Sequence, residues 1–292
     1  MWFLKRFLLL IAYFVYWPDI QAQRSAIWME KPGTWLLNVG IGPTRYLGDL
    51  NEQSAVGHLR LGAAINVAVA YRYSPQLTLR TEAQLYYIRG TQKDTHLAYN
   101  NLSFHSVNPD IWVGVQWDFW RADDRNHVII PYLLAGVGLT YITPKASYNG
   151  QSVSLAPLHT EAVTYSRLPV VVRYGLGVPI VAGERFKWHL EGAYTHVFSD
   201  YLDDVSTVYP DRNGMEPLAA ALSDRRPEVG QTPNSAGDQR GNRSWRDGYF
   251  VLSARLIFIV ITPHCGITAG HFIVRVLGAF AVILTVNPNL AE

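Results

Sequence analysis

Cysteine is nearly absent: Cys265 is the only one in 292 residues, so no intramolecular disulfide can form and no cluster of thiolates can bind a metal. Charge is also thin. Asp, Glu, Lys and Arg make up 16% of the chain, against about a quarter in ordinary soluble domains. The formal net charge of +2 is too small to argue for a nucleic-acid partner. Long apolar runs are missing as well. Between the N-terminal segment and Pro263, no stretch reaches the roughly 18 uninterrupted apolar residues that a spanning helix needs. The patterns GxSxG, HExxH, GxxxxGK[ST] and GxGxxG do not occur, which removes the usual sequence grounds for a hydrolase, a zinc protease or a nucleotide-binding enzyme.

Aromatic residues are plentiful. They form 13% of the chain, with 17 Tyr and 9 Trp. Tyr and Trp suit an interface where the ring is buried and the polar tip stays wet. The N-terminus carries Lys5 and Arg6, then the apolar run Phe7 to Trp17, then Pro18 and Gln21-Ala22-Gln23. A charged start, a short apolar stretch and a small residue near its end describe a secretory signal peptide, expected to span residues 1–22 with cleavage after Ala22. Export without a helical anchor leaves the periplasm, the medium or the outer membrane as destinations.

The rest of the chain, residues 23–262, reads as strands of period two. Eight are expected: Trp35–Gly42, Ala63–Tyr73, Leu77–Ile88, Leu102–Phe119, Val128–Ile142, Leu168–Ile180, Phe186–Val197 and Tyr249–Phe258. In most, one face is apolar or aromatic, such as Ile65, Val67, Val69 and Tyr71. The other holds small residues and single charges, such as Ala64, Asn66, Ala68 and Arg72. Alternation alone fits a soluble sandwich or a membrane barrel. The connections separate the two. Ser74–Gln76, Arg121–His127 and Val181–Arg185 are short, and they alternate strictly with the long segments Pro43–Gly62, Gly90–Asn101, Thr143–Arg167 and Ser199–Asp247. That is the rhythm of an all-β, transmembrane, up-and-down antiparallel barrel with short periplasmic turns and long outer loops.

Eight strands leave a lumen just wide enough for side chains to fill. Arg72, Arg80, Glu82, Asp118, Arg173, Glu191 and Arg255 are therefore expected to pair inside a plugged barrel with no open pore, since an unpaired charge there is costly. Residues 213–242, rich in Gly, Pro, Asn, Asp and Arg, read as a mobile outer loop. The apolar tail 263–292, with His271 and Arg275 inside its run Ile267–Val286, has no expected structure.

Several segments resemble a family of Bacteroidetes outer-membrane barrels, the PorG-like components of the type IX secretion system. The most specific is Asp200-Tyr201-Leu202-Asp203-Asp204-Val205-Ser206. It is joined by Tyr46-Leu47-Gly48-Asp49-Leu50-Asn51, Asn101-Leu102-Ser103-Phe104, Pro131 to Gly138, and Thr160-Glu161. They follow the family's order across residues 35 to 258. The resemblance departs at Thr195-His196, where the family ordinarily has an arginine. It implies a structural, non-enzymatic role in cargo secretion, without a cofactor. The implied partners are outer-membrane lipids and a periplasmic ring built of a lipoprotein and its partner.

The Asp-rich segment allows two chemical readings. Asp200, Asp203 and Asp204 with Asp49 could bind calcium, but their spacing is not that of an ordered calcium loop. A latch is favoured, in which the carboxylates accept backbone N–H bonds or pair with arginines. His196, Ser199 and Asp200 have the residue types of a nucleophilic site, yet sequence neighbours on a loop rarely supply the mutual geometry.

Overall fold

The computed structural model describes residues 31–50, 60–93, 95–121, 129–182, 186–242 and 247–261. The expected signal peptide, Asn51 and the apolar tail lie outside the described residues. Among those described, no helix is long and apolar enough to cross a membrane, which says nothing of strands.

Ten strands form one antiparallel sheet: β1 (Trp35–Leu47), β2 (Leu61–Arg72), β3 (Leu77–Thr91), β4 (Ser103–Asp118), β5 (Tyr132–Thr140), β6 (Lys145–Tyr148), β7 (Gln151–Ser154), β8 (Val170–Ala182), β9 (Phe186–Val197) and β10 (Gly248–Ile261). Eight of them close into a ring, β1-β2-β3-β4-β5-β8-β9-β10, with β10 returning to β1. Closure leaves no sheet edge inside the ring. β6 and β7 form a small hairpin laid on the top of β4 through His105 and Lys145. That hairpin lies within a stretch read as connection, because four-residue strands are too short to show a period.

Seven of the eight ring strands begin and end within a few residues of the sequence expectation. β1 runs further, past Pro43 to Leu47. Pro43 lacks a donor, but it faces Ala63 of β2 in a register that continues through it, so a single missing N–H does not end a strand held from both sides. The segment 213–242 is also different from expectation. It is a packed lid containing helix α1 (Pro217–Ser223) and a 3-10 turn over Arg226–Val229. Its polar residues serve as internal partners: Asp224 accepts from the Asn234 amide at 2.6 Å and from Arg212 at 2.8 Å.

The barrel is inverted in polarity. Outward-facing residues such as Ile41, Val113, Val137, Leu176 and Ile180 are exposed by more than half of their surface. Their inward neighbours Asn38, Arg80, Trp112, Arg173 and Glu191 are buried. An apolar exterior around a polar interior is the arrangement of an outer-membrane barrel. Ten residues tilted near 45° rise about 25 Å, the height of the apolar band. The 15 residues of β3 and 16 of β4 therefore project beyond it. Aromatic residues gather where the band ends. Tyr73, Trp117, Phe119 and Trp120 are exposed near the short turns, and Tyr141 and Phe198 near the long connections.

The interior has two storeys. The lower is ionic and lies inside the ring. The upper is apolar and sits at the mouth, where Tyr46, Leu50, Phe104, Ile142, Leu155, Leu202, Val205 and Leu222 pack together. It is built between the strand tops and the folded long connections.

Candidate functional site

Period two brings the lumen charges to one level. Arg80 and Glu82 come from β3, Asp110 and Trp112 from β4, Tyr132 from β5, Arg173 from β8, Glu191 from β9, and Tyr249 and Arg255 from β10. All are almost wholly buried. Glu82 is the hub. Arg255 donates to it at 2.8 and 3.0 Å, Arg173 at 3.1 Å, and Arg80 through Nε at 3.1 Å. Glu191 takes Arg80 at 2.6 Å, Arg255 at 2.8 Å and the Tyr132 hydroxyl at 2.8 Å. Asp110 takes Arg173 at 2.8 Å and the Tyr249 hydroxyl. Arg80, Arg173 and Arg255 thus meet Glu82, Glu191 and Asp110, and their ordinary charges cancel. Trp112 lies between two guanidiniums, 5.2 Å from Arg80 and 5.3 Å from Arg173, which adds cation–π attraction. Nearer the short turns, Arg72 and Asp118 pair at 2.5 Å.

The aromatics fit because their neighbours lack side chains. A Cβ on Gly177 would overlap the Tyr132 ring, and one on Gly136 or Gly138 would press on Trp112. Thr195, which stands where the family resemblance leads one to expect an arginine, lies directly across from Arg173. It accepts a hydrogen bond from Arg173 Nε at 2.9 Å. The neighbouring strand thus puts a guanidinium in that part of the lumen.

A second network closes the mouth, and it contains three segments of the resemblance, around Tyr46, Thr160 and Asp203, whereas Pro131 to Gly138 lies beside the lower storey on β5. The Tyr46 hydroxyl lies 2.6 Å from Asp203 and 2.9 Å from Asp247. One phenol carries one proton, so both contacts are satisfied when one of the two carboxyls is protonated. Burial raises the pKa of Asp203 and of Asp247. The charge of Asp49 adds to the effect on Asp203, and the charge of Asp203 to that on Asp247. Gly48 has no room for a Cβ, which would overlap both Asp247 and the Tyr46 hydroxyl. Asp49 accepts from the Asn242 amide at 2.5 Å, and Leu50 is buried in the apolar storey.

Within the heptapeptide, Asp200 accepts from Ser206 Oγ at 2.7 Å and Asp203 from the Val205 amide at 2.9 Å. Leu202 donates its amide to Asp247 at 3.0 Å. The Tyr201 ring stacks on Tyr165 with centroids 4.4 Å apart. Asp204, at φ 68, accepts from Thr160 and, at 2.6 Å, from Tyr165. Burial pushes its carboxyl up to about 6, against the pull of Arg240 and the two hydroxyls. Glu161 ties the β7–β8 connection to the β9–β10 connection. It accepts from the Ser206 amide at 2.8 Å, the Thr207 hydroxyl at 2.7 Å and Arg240 at 2.9 Å.

Each acid of the mouth therefore has protein donors. Among the described residues, no group of three or more His, Cys, Asp or Glu is arranged to hold a metal ion. The residues weighed for nucleophilic chemistry have separate local roles. Ser199 Oγ receives the Tyr201 amide at 3.2 Å, Asp200 holds Ser206, and His196 meets the Phe198 ring edge-on at 5.0 Å.

Sequence reasoning named Arg80, Glu82, Arg173, Glu191 and Arg255 but not Asp110, Trp112 or Tyr249 as lumen residues. The signal was present, since each has the inward parity of its strand. Arg240 and Asp247 carried no such signal, because they lie outside any periodic segment.

No protein-family description matches the sequence, and neither does any curated protein. Among solved structures, the chain is similar to the outer membrane protein OprG from Pseudomonas aeruginosa, with 11% identity and a TM-score of 0.42 over 80% of this chain and 100% of that one. It is similar to Neisserial surface protein A, with 11% identity and a TM-score of 0.41 over 77% and 97%. It is also similar to Ail, the attachment invasion locus protein of Yersinia pestis, with 13% identity and a TM-score of 0.36 over 78% and 99%. Function is therefore read from the chain's own residues.

Proposed function

We propose that this protein is a non-enzymatic barrel of the Gram-negative outer membrane that serves as a structural anchor of the type IX secretion machinery. The observation that carries the membrane part is the inversion of polarity: a closed ring with an apolar, aromatic-edged exterior and a charge-balanced interior. Such a surface is stable against lipid and unfavourable in water. Short turns at one end and long folded connections at the other support an orientation with the long connections outside the cell.

The secretion part is supported by the segments of the resemblance. Tyr46–Leu50, Thr160-Glu161 and Asp200–Ser206 are far apart in the chain and share one buried network at the mouth. Their role in this reading is to hold the outer end together. A periplasmic ring lipoprotein and its partner would meet the opposite end, where the described residues are 73–76, 119–121 and 129–131.

A mild-detergent pull-down of the tagged protein from its own outer membrane tests the reading. Recovery of the ring proteins is expected, together with loss of cargo secretion when the gene is deleted. A barrel that comes down alone while the rings stay intact, in a strain that secretes normally, would sink the secretion role and leave the barrel. The second reading, a small structural or adhesive barrel, is favoured by the size of the folded outer lid and predicts altered surface binding with normal secretion.

A further inference from the structure

The outward face of the barrel has an asymmetry of charge that neither the ion network nor the mouth uses. Glu82, Asp110, Asp118 and Glu191 are the only acids on the described ring strands, and all four are buried in the lumen. The outward-facing Arg45, Arg89 and His105 lie at the upper ends of β1, β3 and β4, above the apolar band. Lys145 of β6 joins them at the same level. Arg89 stands directly opposite His105, and His105 directly opposite Lys145. This is a row of basic residues across three neighbouring strands.

Arg89 and Lys145, the two fixed charges of the row, stand on either side of His105, whose Nε2 lies 3.0 Å from Ser152 Oγ. Among the described residues, neither Arg89 nor Lys145 meets a carboxylate within salt-bridge distance. The row borders a cavity of about 450 Å³ whose walls include Arg60, Tyr87, Arg89, Ser103, His105 and Ser147. Immediately below, the same outward face continues through Val107, Leu85, Ile111 and Val113, all exposed and apolar. A ligand fitting both parts has acyl chains that run down the strands and an anionic head at the level of Arg89.

We propose that Arg89, His105 and Lys145, with Arg60 and Tyr87 beside them, bind the phosphorylated sugar headgroup of an outer-leaflet glycolipid, lipid A. The inference rests on the outer-membrane reading above. Phosphate oxygens accept charge-assisted hydrogen bonds from guanidinium and ammonium groups. An anion at this position balances the two fixed charges, Arg89 and Lys145, and can accept from the His105 ring between them.

The test uses the full chain refolded into phosphatidylcholine bicelles, with the temperature at which the compact gel band converts to the unfolded one as readout. Bisphosphorylated lipid A is expected to raise that temperature by roughly 2–4 °C more than lipid A stripped of its phosphates. Arg89→Ala with Lys145→Ala should abolish the difference while leaving the conversion in phosphatidylcholine alone essentially unchanged. An equal rise with both forms of lipid A, or a difference that survives in the double variant, overturns the proposal. A rise reproduced by inorganic phosphate or by heparin overturns the lipid source and leaves a soluble-anion site. Failure of the wild-type chain to show any compact band would instead refute the membrane barrel itself.

Discussion

Replacing Glu82 by Gln is the sharpest perturbation of the barrel interior. Gln is nearly isosteric, so packing is preserved while one negative charge is lost. Arg80, Arg173 and Arg255 all bond Glu82, and only Glu191 and Asp110 would remain to balance three guanidiniums. Removing one partner of a buried pair typically costs about 3–5 kcal/mol, because it leaves a charge uncompensated. Three donors turn on the same carboxylate here, so the upper end of that range is expected. Asp110→Asn touches one guanidinium, Arg173, besides the neutral Gln84 and Tyr249 and should cost less. Urea unfolding of the refolded barrel in detergent, followed by Trp fluorescence, measures both. The double variant Glu82→Gln with Arg255→Met removes one charge of each sign and should be less destabilised than Glu82→Gln alone. A Glu82→Gln cost within the ±0.5 kcal/mol of an ordinary surface change, or a double variant worse than the single, would refute the hub.

The mouth should respond to pH in the direction set by its acids. Asp49 and Asp204 are each raised from 3.8 to about 6, chiefly by burial. The folded mouth therefore holds protons that the open form releases, and its stability is full below pH 3.8 and lost as pH rises through about 6. Hydrogen exchange at the Leu202, Val205 and Ser206 amides, corrected for intrinsic rate, should show protection falling by ~1–3 kcal/mol between pH 4 and pH 7; protection that is flat or rises with pH contradicts the assignment. Glu161→Ala should open the lid to limited proteolysis within 198–242 while the compact gel band persists, since Glu161 joins two connections but no ring strands. Gly48→Ala should do the same through the Tyr46–Asp247 contact, and a variant as protease-resistant as the parent would show that the contact is dispensable.

The ring was legible because a barrel strand writes its two faces into alternate residues. Parity alone assigns Arg80, Glu82, Glu191 and Arg255 to one interior, and the alternation of short and long connections orders the strands around it. Partner choice was not legible. Nothing local says that Arg173 reaches Asp110 and Glu82 on β4 and β3, because that depends on shear and tilt, which set which residues share a level. The mouth was less legible still. Its partners come from connections without period, and the composition of 213–242 fits an unstructured loop as well as a folded lid. Whether Asp224 holds Asn234 and Arg212, or Arg240 holds Glu161, depends on contacts between segments distant in sequence.

The two storeys also decide what kind of part a barrel like this can play in moving proteins. Side chains from β3, β4, β5, β8, β9 and β10 meet in the lumen within hydrogen-bond distance. Above them the mouth is filled by the apolar cluster around Leu50, Phe104 and Leu202. Opening a path for a peptide would mean separating buried ion pairs at several kcal/mol each and exposing the upper core as well. A conduit built this way would have to unfold to work. An anchor gains from the same features, since a stiff, charge-locked ring transmits force between lipid on its outer wall and a partner on its turns. A secretion role for this chain is thus compatible with tethering and incompatible with translocation through its own lumen. Widening the lumen by Trp112→Ala, which leaves the Arg–carboxylate pairs their partners, should give no gain in passage of cargo, and a gain would overturn the argument.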